Sequence, residues 1–156
     1  GDPGRIAITY LGSENSSELG EPDIDGENWT GNAHYATTNV SYHLYITISL
    51  NALDPSPVFH TFRVTDDPVQ IGSICLNSGD CRDIGGSNRN LLDFNDLHID
   101  RDGRVFVAFA DGCTDSCASD SNSTAEDSRS RRGSMYYLGS GPSLYEAVGM
   151  MEMPSN

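Results

Sequence analysis

The sequence predicts an all-β protein built from antiparallel sheets. Six segments rich in Ile, Val, Thr, Tyr and Phe alternate apolar and polar residues with a period of two, which is typical of strands with one buried face. An Asp-Gly pair at residues 102–103 joins two of these segments and indicates a β-hairpin. Only residues 145–151 have a pattern compatible with a helix, and Pro154 follows closely.

Turn-forming residues separate the predicted strands. Pro55 and Pro57 lie in the connection before the third strand. Pro68 ends that strand, because proline cannot donate a hydrogen bond to a sheet. The predicted strands cover residues 5–11, 42–50, 59–65, 95–100, 104–110 and 134–139.

Long polar loops, residues 12–38, 69–90 and 112–133, connect several of these strands. Loops of this length in a compact domain are usually functional, cross-linked or disordered. We therefore expect the loops to carry the partner contacts of the chain.

The charge balance of the chain is strongly acidic. There are 23 acidic side chains against 9 basic ones, all of them arginine, for a formal charge of −14. Such a surface repels phosphate backbones and anionic headgroups, so we expect no nucleic-acid partner. No run of eighteen apolar residues occurs, and we expect no membrane insertion.

The cysteines form two close pairs, Cys75 with Cys81 and Cys113 with Cys117. Neither pair has the spacing of a zinc site. We expect two local disulfides within loops, although four cysteines allow three connectivities and the sequence does not select one. Disulfides persist in oxidising compartments, so the pairs favour an extracellular location.

Sequons for N-glycosylation point to the same compartment. Four Asn-x-Ser/Thr motifs lie in polar segments, and we expect glycans on an extracellular or cell-surface protein. The chain begins Gly-Asp-Pro-Gly-Arg, which indicates a turn and not a secretion leader, so we expect processing or further sequence upstream. The four candidate sites are Asn15, Asn28, Asn39 and Asn122.

One acidic segment is a candidate calcium site. Asp23, Asp25 and Glu27 place carboxylates at alternate positions around a glycine, and oxygen ligands are what Ca²⁺ prefers. An acidic turn without a metal is the alternative interpretation. Asp100 and Asp102 form a poorer candidate, since hairpin turns use Asp to bond the backbone. We predict no other cofactor.

The sequence contains no recognisable catalytic motif. Neither Gly-x-Ser-x-Gly nor His-Glu-x-x-His occurs. The sequence does not exclude a glycosidase site made of two carboxylates, because such pairs assemble in space and leave no local signature. The histidines, which we interpret as structural, are His34, His43, His60 and His98.

The strands fall into two similar units of three, which indicates the blades of a β-propeller. Residues 1–10, 89–96 and 98–113 carry a resemblance to the sialidase-like, BNR-repeat β-propellers of secreted microbial proteins. The turn at residues 100–103 is similar to the Asp-box of that family, but its glycine stands one position later and no Trp follows.

The resemblance implies an all-β, propeller-type fold of about one and a half to two blades, with disulfide-bearing loops. On this basis we divide the chain into four parts. They are a penultimate blade lacking its first strand (1–68), a connecting loop (69–94), the last blade (95–145) and a C-terminal tail (146–156).

Sialidases of this family use three arginines, a Tyr/Glu pair and an Asp, and no motif maps these roles onto this chain. Tyr136, Tyr137 and Glu146 are present without a matching pattern, as is the cluster Arg129, Arg131 and Arg132. We therefore assign no catalytic residue.

The function that we expect is a non-catalytic extracellular module for surface adhesion or assembly. Its partners would be the remaining propeller blades, other protein subunits or glycans, because isolated blades expose sheet edges and apolar faces. The alternative is a sialidase-like glycoside hydrolase whose catalytic residues lie mostly upstream of this segment.

Overall fold

The computed structural model describes residues 3–13, 41–71, 95–119 and 132–145. In these residues seven strands form two antiparallel sheets, and one short helix follows the sixth strand. The elements are β1 (Ile6–Ser13), β2 (Ser41–Ser49), β3 (His60–Arg63), β4 (Gln70–Ile71), β5 (Asn95–Ile99), β6 (Val105–Asp111), α1 (Ser116–Ser119) and β7 (Arg132–Tyr137).

The first sheet is centred on β2. Strand β1 pairs along its whole length with β2, from Ile6 opposite Ser49 to Ser13 opposite Tyr42. Strands β3 and β4 both pair with β2, at residues 45–48 and 41–42 respectively. Since β4 belongs to this sheet, pairing in the first sheet continues beyond residue 68.

The second sheet is a three-stranded meander in the order β5-β6-β7. Strand β6 lies in the middle, with Val107 opposite both Leu97 of β5 and Tyr136 of β7. Consecutive strands are neighbours, as hairpin connections favour. Within the described residues both sheets are open.

The two sheets share one hydrophobic core. Alternate residues of β2 and β6 face it, because side chains along a strand alternate between the two faces of the sheet. Each of these side chains is nearly or fully buried. They are Tyr42, Leu44, Ile46 and Ile48 from β2 and Val105, Val107 and Phe109 from β6, together with Leu50, Val69 and Leu144.

Two hydrogen bonds between distant segments connect the sheets. The Arg5 guanidinium donates to the Leu144 carbonyl oxygen at 2.7 Å. The Gly112 amide donates to the Val69 carbonyl oxygen at 3.0 Å. The packing of the sheets is therefore held at two separate places as well as through the core.

The structure confirms the all-β class and the antiparallel sheets. All six predicted strands are present, with ends that differ by at most two residues. Strand β4 and helix α1 were not predicted, because segments of two and four residues are too short to show a period. The predicted helix at residues 145–151 lies outside the described residues except for Tyr145.

Candidate functional site

The outer face of the first sheet carries an aromatic pair. Tyr10 of β1 lies directly opposite Tyr45 of β2. Their rings are nearly parallel, at 12°, with centroids 5.6 Å apart, which is the geometry of an offset stack. Both residues alternate with core-facing neighbours, so the pair lies on the side of the sheet turned away from the core.

A glycine makes room for this pair. A Cβ atom on Gly12 would lie 2.8 Å from the Tyr45 ring, closer than real contacts allow, and 3.6 Å from the Tyr10 ring. The absence of a side chain at position 12 therefore allows the Tyr45 ring to lie close against the backbone of β1.

Hydroxyl groups continue across the same face. The Tyr10 hydroxyl lies 3.3 Å from Thr47 Oγ1, which is 2.8 Å from Thr61 Oγ1. Thr47 is buried under its neighbours, whereas Thr61 is exposed. We call the surface formed by Ile8, Tyr10, Tyr45, Thr47 and Thr61 the tyrosine face.

The outer face of the second sheet carries an apolar group of side chains beside Asp96 and His98 of β5. Met135 is 72% exposed, the Tyr137 ring lies 4.9 Å from the Phe106 ring, and Ala108 lies exposed beside them. Arg104 donates a hydrogen bond to the Tyr137 hydroxyl, and its guanidinium lies 5.6 Å from the centroid of that ring. We call the surface of Phe106, Ala108, Met135 and Tyr137 the Met135 face.

The Asp100 carboxylate organises the β5–β6 turn. Its Oδ1 accepts hydrogen bonds from the Asp102 amide at 2.9 Å and from the Arg104 amide at 2.8 Å. This is the backbone-bonding role that Asp has in turns.

Among the described residues no group of three or more His, Cys, Asp or Glu side chains could hold a metal ion. The calcium candidates Asp23, Asp25 and Glu27 lie outside those residues, and that prediction stays open.

A disulfide joins Cys113 to Cys117 directly after β6. Both cysteines are almost fully buried, and they pack with Ile71 in a small second core. The pairing is therefore local for these two cysteines. Cys75 and Cys81 lie outside the described residues, as do the sequon residues Asn15, Asn28, Asn39 and Asn122.

Asp111 precedes this disulfide and is half-buried. Burial raises the pKa of the Asp111 carboxyl, and the nearby charge of Asp67 adds to that effect. The hydrogen bond from the Cys113 amide, at 3.1 Å, and the charge of Arg132 on β7 both lower the same pKa. The net direction is upward because desolvation is the largest of these effects.

The tyrosines of β7 pack on neighbouring rings. Tyr136 stacks on Phe109, with centroids 5.6 Å apart, and Tyr137 contacts Phe106. Arg132 lies at the start of β7. Three further residues that were compared with the sialidase pattern lie outside the described residues: Glu146, Arg129 and Arg131. No catalytic role follows from these contacts.

The strand histidines are dispersed through the structure. His43 is buried, and its Nδ1 lies 3.1 Å from the Thr65 carbonyl oxygen. The Nε2 atom of His60 is buried and has no hydrogen-bond partner within the described part of the chain. His98 is exposed on β5, and His34 lies outside the described residues. The structure therefore does not bring His43, His60 and His98 together as metal ligands.

Sequence reasoning did not single out Tyr10, Tyr45 or Met135. Their segments were predicted as strands, but the two tyrosines are 35 positions apart, and only the pairing register places them side by side. The signal that could have suggested the pair is an exposed aromatic residue near a glycine, Tyr10 before Gly12.

The described elements define an antiparallel all-β protein, and comparison with known proteins adds a distant similarity. The chain is 32% identical over 98 residues to a protein named extracellular metalloproteinase 4 from Arthroderma otae. The match covers 62% of this chain and spans 15% of the length of that proteinase. No family model matches the chain, and no solved structure matches it. Within the described residues no helix is long and apolar enough to cross a membrane.

Proposed function

We propose that this chain is a non-catalytic extracellular module with propeller-type β-sheets that serves surface adhesion or assembly. Its partners are further blades, other protein subunits or glycans. The resemblance of its sequence to secreted sialidase-like propellers motivates the proposal, and the two meandering sheets on one core are compatible with adjacent blades.

The observation that carries the proposal is the exposure of large apolar side chains on the outer faces of both sheets. Ile8 and Tyr10 are 46% and 38% exposed on the first sheet, and Met135 and Tyr137 are 72% and 41% exposed on the second. Contiguous exposed apolar patches on a soluble protein usually mark an interaction site. The Met135 face is the stronger candidate for protein contact, because its side chains are mainly apolar.

An extracellular location has independent support. The Cys113–Cys117 disulfide is the kind of bond that persists in oxidising compartments. The similar proteinase is named as extracellular. The formal charge of −14 would keep such a protein soluble and away from anionic surfaces.

The test of assembly is the mass of the native chain in solution, measured by analytical ultracentrifugation over a range of concentrations. We expect concentration-dependent association that Met135→Glu abolishes, because a carboxylate buried in an apolar contact is strongly unfavourable. Leu53→Glu is the matched control: Leu53 is 76% exposed but lies in the β2–β3 connection, so association should persist.

Two results would contradict the proposal. One is a monomer at every concentration that also binds no glycan and no protein. The other is turnover of a fluorogenic sialoside by the purified chain, which would favour the sialidase-like hydrolase instead. A sialoside assay therefore accompanies the ultracentrifugation on the same preparation.

A further inference from the structure

We propose that the tyrosine face binds an uncharged oligosaccharide, with a sugar ring stacked on Tyr10. This inference rests on the proposed function and assigns a site and a ligand class to it. The face lies on the described strands, whereas the sequence had placed glycan contacts in the loops.

The first step of the argument is the fixed position of an exposed ring. Tyr10 keeps 38% of its surface exposed although its ring stacks on Tyr45 and its hydroxyl lies 3.3 Å from Thr47 Oγ1. Because these two contacts already restrain the side chain, a ligand would not have to immobilise it on binding. An exposed aromatic ring held in one position is a preformed binding surface.

The second step is the combination of a ring with hydroxyl groups. A pyranose sugar has C–H bonds on its flat face and hydroxyls around its rim, so it needs an apolar plane next to hydrogen-bonding groups. Tyr10 offers the plane, and the exposed Thr61 hydroxyl offers a hydrogen bond, because a hydroxyl that already bonds Thr47 still has further bonding capacity. Small-molecule sites commonly combine an apolar surface with a few placed polar groups in this way.

The third step is charge. The strand residues on this side of the first sheet include one formally charged side chain, Arg63 opposite Tyr45, and no carboxylate. The whole chain carries a formal charge of −14, which repels polyanionic chains at a distance. An uncharged glycan avoids that long-range repulsion, which a uronic or sulfated glycan would meet on approaching the chain.

The Met135 face of the second sheet lacks one of these features. Its methionine and its alanine stand where the tyrosine face has threonine hydroxyls. The control for Tyr10 is Tyr136 of β7, because it is 42% exposed and stacks on Phe109 with centroids 5.6 Å apart but belongs to neither face.

The experiment is calorimetric titration of the 156-residue chain with two uncharged probes, cellohexaose and chitohexaose, and with polygalacturonate as the acidic comparison. We expect binding of at least one hexasaccharide and none of polygalacturonate. Tyr10→Ala should weaken binding about tenfold, as loss of one aromatic contact does. Tyr136→Ala should leave the affinity unchanged.

Two milder variants keep the test valid where Tyr10→Ala disturbs the fold. Tyr10→Phe retains the ring and should bind within about threefold of the wild type. Thr61→Val removes one hydroxyl at nearly constant shape and should weaken binding about fivefold.

The proposal is overturned if neither hexasaccharide binds, if polygalacturonate binds in their place, or if Tyr10→Ala and Thr61→Val leave the affinity unchanged. These outcomes differ from failure of the proposed function. A chain that still associates through the Met135 face, or binds a glycan independently of Tyr10, keeps its assembly or adhesion role without this site.

Discussion

The Arg5 guanidinium donates a hydrogen bond of 2.7 Å to the carbonyl oxygen of Leu144, 139 positions away in the sequence. Arg5 directly precedes β1 of the first sheet. Leu144 is a buried member of the shared core, and its amide donates to the Gly103 carbonyl oxygen at 2.8 Å. The contact therefore ties the first sheet to the β5–β6 turn through one short segment.

Removal of this contact should destabilise the fold. We expect Arg5→Ala to lower the free energy of unfolding by about 1–2 kcal/mol, since a charge-assisted hydrogen bond is lost and a core-adjacent carbonyl loses its partner. Urea unfolding, monitored by circular dichroism, measures this change in the free energy of unfolding. Arg101→Ala is the matched control, because Arg101 is exposed in the β5–β6 turn and should matter little. Equal effects of the two substitutions would contradict the role given to Arg5.

Gly103 should tolerate no side chain. Its φ is +77°, in the left-handed region, and a Cβ there would lie 2.8 Å from the Tyr145 amide nitrogen and closer still to Ser143 Oγ. We expect Gly103→Ala to cost about 2 kcal/mol or more in unfolding free energy.

The control for Gly103 is Gly133 on β7. No described atom lies within 4 Å of a Cβ at that position, and no positive φ is required there. Gly133→Ala should therefore be neutral or slightly stabilising, as expected for alanine replacing glycine in a strand. If both substitutions lowered the melting temperature equally, the β5–β6 turn would not require a glycine at position 103.

The Cys113–Cys117 disulfide should contribute about 2 kcal/mol, the chain-entropy value for a loop of this size. We expect the double variant Cys113→Ala with Cys117→Ala to lower the unfolding free energy by roughly that amount. Peptide mapping without reductant would identify the 113–117 link directly. The same map tests the predicted Cys75–Cys81 bond, and a link between the two pairs would contradict local pairing.

Asp111 should make stability depend on pH in a defined direction. Because burial raises its pKa above the ordinary value of 3.8, the folded state holds the proton more tightly than the unfolded chain. The associated stability is present in full below pH 3.8 and is lost as the pH rises through the raised pKa of the folded state.

Asp111→Asn mimics the protonated carboxyl at every pH. Its unfolding free energy should therefore exceed that of the wild type at neutral pH, and the difference should disappear towards pH 3.8. Paired urea titrations across this range measure the difference. Asp96→Asn, at an exposed position of β5, is the matched control for replacing an aspartate on a strand. A difference that grows towards acid pH would mean that the Arg132 charge outweighs burial.

The period-two alternation predicted much of the fold correctly. Leu44, Ile46 and Ile48 all enter the core, because apolar residues two positions apart point to the same side of any strand. The Asp-Gly signal also located the β5–β6 hairpin, since the backbone of that turn requires a glycine with positive φ. These features depend on neighbours in the sequence.

The candidate surfaces could not be predicted in the same way. Strand segments containing Tyr10, Tyr45 and Met135 were recognised, but their partners depend on which strands pair and in which register. If the register between β1 and β2 shifted by one residue, the Tyr10 and Tyr45 rings would lie on opposite faces of the sheet.

The sequence by itself determined the all-β class, the approximate strands and the acidic, cysteine-paired character of this protein, because each is a local or compositional property. Only the tertiary structure decided that Tyr10 stacks on Tyr45, that Arg5 bonds Leu144 and that two sheets bury one common core. The physical reason is that these contacts join segments far apart in the chain. Their geometry is set by cross-strand hydrogen bonding and by burial of the whole core, which no single segment encodes.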